Sequence, residues 1–186
     1  MKTLILKVIL KEEDRRWSAS IPTLSGCSSW GYSKQEALDN IKDAAEIYII
    51  KSTLEALAGR LAIKYITEET IKTLAGLNDQ MSKISKSKEK DYRTLLDLNA
   101  DFHRIINESA SNTKLLQHIN LLRNQTLRYN YIYLSVLSHL DQSIDEHAQI
   151  IEALRKRDAT AIELLMKNHG ENAGKALCEY ISKTTH

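Results

Sequence analysis

The chain has 186 residues, 42% of them hydrophobic and 27% charged, with a formal net charge of +2. Acid and base nearly balance, so there is no general positive field for nucleic acid or an anionic membrane, and the length allows a sizeable core without disulfides. Two cysteines, Cys27 and Cys178, with no Cys-x-x-Cys pair, a charged N-terminus (MKTLILKVILKEED) unlike a signal peptide, and no apolar run of about 18 residues set the expectation of a reducing, cytoplasmic setting with no membrane span.

Leu4, Leu6, Val8 and Leu10 alternate with Thr3, Ile5, Lys7, Ile9 and Lys11, the period-two pattern of a strand. Glu12 to Arg15 form a charged turn, and Arg16 to Ile21 the returning strand, with Trp17, Ala19 and Ile21 on one side. Pro22 ends it, because proline cannot donate to a ladder. Gly26 to Gly31 make a short third strand, and Ser33 caps a helix with Glu36 at the reciprocal capping-box position. From Lys34 to about Lys64 there is no proline, and no glycine before Gly59. Ala37, Leu38, Ile41, Ala45 and Tyr48 form one apolar stripe; Ile47, Ile50, Leu54, Leu57 and Leu61 form a second with shifted phase. One helix of about 45 Å is expected, serving the N-terminal sheet first and a helical bundle second, with a rigid junction.

Thr67 caps the next helix, with Ile71, Leu74 and Leu77 facing inward. Lys83 to Lys90 read as a solvated loop or frayed end. In LLDLNADFHRIINES, Leu95, Leu98, Phe102, Ile105 and Ile106 recur at helical spacing. That helix closes near residues 109–112. Another runs from Lys114 to about Ser138. Ser143 with Glu146 makes a capping box that starts a helix to about Lys156, and Asp158 caps the last helix, to about Ile181.

The chemistry is concentrated on three of these helices. Asn99 and His103 stand four residues apart on one helix face, with Asn99 inside the apolar stripe and His103 at its edge. His147 lies among Ile144, Ile150, Ile151 and Leu154, and His169 among Ile162, Leu165, Met166 and Ala173. A single inward histidine is usually a hydrogen-bonded core residue. Three of them from three helices, with an amide oxygen a turn away, make a site for Zn²⁺, Ni²⁺ or a similar divalent ion, and bundle cores build such sites from facing helices. Rings more than about 8 Å apart would exclude a shared ion, since ligand bonds are near 2 Å. His118, His139 and His186 read as surface groups. Glu146 and Glu108 fall on polar faces, so no carboxylate is placed as a general base and no enzyme is expected.

Two resemblances add to this. The Pro-x-x-x-Gly-Cys segment at Pro22, followed by Gly-x-Ser-x-x-Glu-Ala at Gly31, resembles the HicB-type antitoxin domain, a small non-catalytic strand-strand-helix module that neutralises a ribonuclease toxin by protein contact. The rest resembles the all-helical FCD ligand-binding domain of FadR-type GntR transcriptional regulators, through KSTLEALAGRLAIKYITEETI, NADFHRIINESASNTKLL and EHAQIIEALRKRDATAIELLMKNH. The resemblances imply a mainly α fold: an antiparallel helical bundle over residues 46–186, preceded by a small α+β module over 1–45. The second also implies a metal held by Asn99, His103, His147 and His169, with a small organic acid completing the coordination and a homodimer as the working form.

The chain departs from that pattern at three points. Asn99 stands where metal-binding members usually carry Asp, which removes a negative charge. Lys51 stands where an Arg usually meets the carboxylate; Lys is a point charge rather than a bidentate fork. Arg123 and Arg128 are alternative anion contacts. The winged helix of such regulators has no counterpart in the first fifty residues, so direct DNA binding is not expected. The expected function is ligand sensing through a metal and a small carboxylate. The alternative is a HicB-type module that binds a protein partner, with the bundle used for dimerisation.

Overall fold

Three strands precede six helices: β1 (Ile9–Glu13), β2 (Arg16–Ile21), β3 (Cys27–Gly31), α1 (Lys34–Ala62), α2 (Glu68–Ser85), α3 (Tyr92–Ser109), α4 (Thr113–Tyr131), α5 (Leu140–Arg155) and α6 (Ala159–Lys183). This computed structural model describes residues 8–13, 15–21, 27–131 and 139–183, with side chains except at 13, 20, 21, 27–31, 34–45, 125, 127–131 and 176–183. The chain divides into two compact units, residues 1–49 with 171–186, and residues 50–170. The fold is mainly α, with the small sheet at the N-terminus.

In the first unit the strands form an antiparallel sheet in the order β1-β2-β3. Ile9 pairs with Ser20 and Glu13 with Arg16, while Trp17 pairs with Gly31 and Ile21 with Cys27. The charged run at 12–15 is thus not all turn. Glu12 and Glu13 continue the ladder, paired with Trp17 and Arg16. Arg15 has φ 63°, the left-handed conformation that tight hairpin turns require. Ala19 is fully buried and Trp17 half-buried. The expected strand start at residues 3–7 lies outside the described residues.

In the second unit, short polar side chains cap four of the helices, Thr67 and Asp158 as expected. Thr67 Oγ1 accepts from Thr70 N at 3.1 Å and Asp91 Oδ1 from Thr94 N at 3.0 Å. Asn112 Oδ1 accepts from Leu115 N at 3.1 Å, and Asp158 Oδ1 from Thr160 N and Ala161 N at 3.1 and 2.9 Å. α2 packs against α3 and α5, and the core holds Ile71, Leu74, Met81, Leu95, Phe102, Ile106, Ile150, Leu154, Ile162 and Met166. Among the described residues no helix is long and apolar enough to cross a membrane.

Three expectations are corrected. α2 continues to Ser85, which is buried, so the solvated stretch shrinks to 86–90. α5 begins at Leu140 rather than Ser143; the extra turn buries Leu140, and Ser143 N donates to the His139 carbonyl from within the helix. Ser143 therefore lies inside α5 rather than at its N-cap.

The third correction concerns α1. Of the second apolar stripe, Ile50 is 49% and Leu57 39% exposed, whereas Ser52, Glu55, Ala56, Ala58 and Ala62 are buried. Leu54 and Leu61 pack inward, against Ala58, Ala110, Leu115 and Ile119. The reason is the closeness of α1 to α6. A Cβ on Gly59 would stand 3.1 Å from Ile162 and Met166, and one on Gly170 only 2.7 Å from the Cβ of Ser52. Large side chains do not fit that seam and turn aside. Gly170→Ala gains about 1 kcal/mol of helix propensity but meets Ser52 near its own backbone. A net loss of about 1–3 kcal/mol is expected from overpacking, read as a lower urea midpoint. A midpoint at or above the parent's would show that the seam opens without cost.

Candidate metal centre

α3, α5 and α6 each bring one histidine to a common point. His147 is fully buried, and His103 and His169 are 9% and 7% exposed. One ligand atom from each lies within 4.8 Å of the others. Ring centroids are 5.3 Å apart for His103 and His147, 5.0 Å for His103 and His169, and 4.8 Å for His147 and His169. All are well inside the limit of about 8 Å for a shared ion. The Nε2 atoms of His103 and His169 are 3.2 Å apart. Two nitrogens bound tetrahedrally to one ion at about 2.0–2.1 Å stand roughly 3.3 Å apart, so this edge already has coordination spacing. Phe102 forms the wall: its ring stacks on His147 at 4.0 Å and meets His103 edge-on at 5.7 Å.

Burial pushes His103 and His147 well below the ordinary histidine value of 6.5, and the charge His169 carries when protonated pushes the same way. Lys51 adds to the effect at His103, and His103 to that at His147. Both rings are therefore neutral near pH 7, the form that offers a lone pair to a metal. Among the described residues, neither nitrogen of His147, nor Nδ1 of His103, has a hydrogen-bond partner. A buried polar atom left so costs on the order of 1–3 kcal/mol. The donor set and its orphaned nitrogens fit a divalent ion.

In the metal-free protein this makes stability depend on pH. The folded rings stay neutral, while the unfolded chain takes up protons as pH falls through about 6.5. The stabilisation is whole above about 6.5 and is lost as pH descends towards the depressed folded values. Urea midpoints are expected to drop between about pH 6.5 and 5, less steeply in His147→Leu. Equal slopes in both proteins would mean that His147 is not held neutral.

The remaining expected residues are placed less closely. Asn99 is half-buried, one turn before His103 on α3. Lys51 is buried on α1, with Nζ 2.7 Å from Glu55 Oε2. Arg123 is half-buried on α4, and its Nε lacks a hydrogen-bond partner among the described residues. Arg128 lies on α4, its side chain outside the described residues. His118 is exposed, as expected; His139 is half-buried beside the first turn of α5, and His186 lies outside the described residues.

Glu146 was expected on a polar face. Its Oε2 instead lies 2.6 Å from His169 Nδ1, and its side chain is only 17% exposed. A helical wheel sets Glu146 about 100° from His147, hence off the apolar stripe; the length of the side chain carries the carboxylate back to the rim of the cluster. The available sequence signal was its place directly before an inward histidine.

Residues 46–172 match the FCD domain, and the chain belongs to the FCD domain family. A probable D-xylose utilization operon transcriptional repressor of Paenarthrobacter nicotinovorans is 26% identical over 145 residues, 78% of this chain and 59% of the repressor. A UPF0150 protein of Helicobacter pylori is 37% identical over 46 residues, 25% of this chain and 64% of that protein. The solved structure of Escherichia coli McbR/YncC superposes with a TM-score of 0.61 at 19% identity, covering 69% of this chain and 60% of that one. That likeness is one of fold. The chain spans about three-fifths of the length of each of these relatives.

Proposed function

We propose that the helical part, residues 46–186, is a sensor that holds a divalent ion, Zn²⁺ or Ni²⁺, through Asn99, His103, His147 and His169. The observation that carries this is the meeting of three buried rings from separate helices, with nitrogens on His103 and His147 that find no protein partner among the described residues. When bound, the ion supplies a Lewis-acidic position for the oxygen of a small carboxylate. Lys51, Arg123 and Arg128 are the cations to meet the rest of that anion. Asn99 is neutral where Asp would be charged, so the site leans more on an anionic guest. The protein works in the cytoplasm as a homodimer, without direct DNA contact by this chain.

Elemental analysis of purified protein should find one metal per chain, and calorimetry should show small dicarboxylates binding the loaded form and not the stripped one. Absence of stoichiometric metal, with no uptake by stripped protein, would end this reading.

A second reading has its own support. Residues 1–45 follow the strand-strand-strand-helix order of a HicB-like module, and the short UPF0150 relative matches a stretch of similar length. In that reading the module binds a protein partner and the bundle dimerises. Co-purification tests it: a partner lost on deleting residues 1–30 supports it, and no partner under any growth condition counts against it. The two readings are compatible.

A further inference from the structure

One flank of α5 carries a hydrogen-bonded row that ends in the histidine cluster. His139 Nδ1 is 3.1 Å from Gln142 Oε1, and Gln142 Nε2 donates to Glu146 Oε1 at 3.0 Å. Glu146 Oε2 is 2.6 Å from His169 Nδ1, and His169 Nε2 is 3.2 Å from His103 Nε2. Spacings of three and four residues place 139, 142 and 146 on one helical edge.

Donor and acceptor chemistry orients this row. A carboxylate only accepts, so Gln142 turns its NH₂ towards Glu146 and its carbonyl towards His139. His169 likewise gives its Nδ1–H to Glu146. Its Nε2 is then an unprotonated acceptor aimed at the point where the three rings meet. His147 has no hydrogen-bond partner at either ring nitrogen, and His103 none at Nδ1, among the described residues. His169 is thus the ring of the three that a carboxylate holds.

We propose that Glu146 is a positioning residue of the metal centre. It locks His169 in the Nδ1–H tautomer and in the rotation that presents Nε2, and Gln142 steadies Glu146 from behind. The proposal rests on the metal-site reading above. A carboxylate on the far nitrogen of a ligating histidine fixes the ring, raises its basicity, and is commonly worth 10–100-fold in metal affinity.

The test uses the full chain and two independent readouts. In metal-free protein at slightly alkaline pH, long-range ¹H–¹⁵N correlation spectra should show His169 as a single Nδ1–H tautomer. Glu146→Ala should give mixed tautomers with Nε2–H gaining. Glu146→Gln keeps an acceptor oxygen and should restore the tautomer without the charge. In chelator competition with Zn²⁺, Glu146→Ala should bind about 10–100-fold more weakly, Glu146→Gln should fall between, and Gln142→Ala should stay within a few-fold of the parent. A parent His169 protonated at Nε2, or a Glu146→Ala protein with parental tautomer and parental affinity, overturns the proposal. If the parent takes up no Zn²⁺ yet shows the Glu146-dependent tautomer, the metal reading falls while the positioning of His169 by Glu146 is upheld.

Discussion

Saturating Zn²⁺ is expected to raise the unfolding midpoint of the metal-stripped protein by about 5–10 °C. Binding to the native state alone adds about 2.7 kcal/mol at a free concentration one hundred times the dissociation constant. For chains of 150–250 residues each kcal/mol shifts the midpoint by about 2–4 °C. Pre-organisation favours a shift of this size. The nitrogens of His103 and His169 already stand 3.2 Å apart, and His147 is fully buried beside them, so little ordering is left for binding to impose. Thermal melts with and without chelator measure it. The shift should disappear in His103→Ala and in His169→Ala. A midpoint that ignores the ion, or that moves equally in the histidine variants, would show that the cluster is not where the metal binds.

Phe102→Ala is expected to cost about 3–5 kcal/mol in folding stability, the usual range for deleting a buried aromatic ring. Phe102 is fully buried and among the largest such side chains of the core. Its ring lies against His147 at 4.0 Å with an interplanar angle of 19°, so its loss also frees that imidazole to turn. Stability and Zn²⁺ affinity should therefore fall together. Phe102→Leu restores much of the volume and should lose less of both. Urea unfolding and chelator competition on the same samples test the linkage. A cost under about 1 kcal/mol would mean that the wall repacks around the vacancy, at odds with the size of the ring removed.

Much of the bundle was legible from order and spacing. Thr67, Asp158 and the inward positions Ile71 and Leu74 are where capping chemistry and period-3.6 patterning put them. His147 and His169 could be assigned to inward faces because each sits among apolar neighbours at helical spacing, and His103 because it stands at the edge of such a stripe. The misreadings share a cause. The stripe of Ile50 and Leu57 obeys the periodicity yet faces outward, since the seam with α6 at Gly59 and Gly170 admits only small groups. Glu146 obeys the wheel yet reaches the cluster, because a wheel records the direction of a Cα–Cβ bond and not the reach of the atoms beyond it.

The order of residues, taken alone, determined which stretches are helical, where most of them begin, and which polar groups are turned away from water, since propensity, capping and amphipathic period are local properties of the chain. Tertiary structure alone decided how near α1 runs to α6, that His103, His147 and His169 converge within ligand distance, and that Glu146 holds one of them. Those are distances between segments far apart in the chain, set by how side-chain volumes interlock once the helices pack.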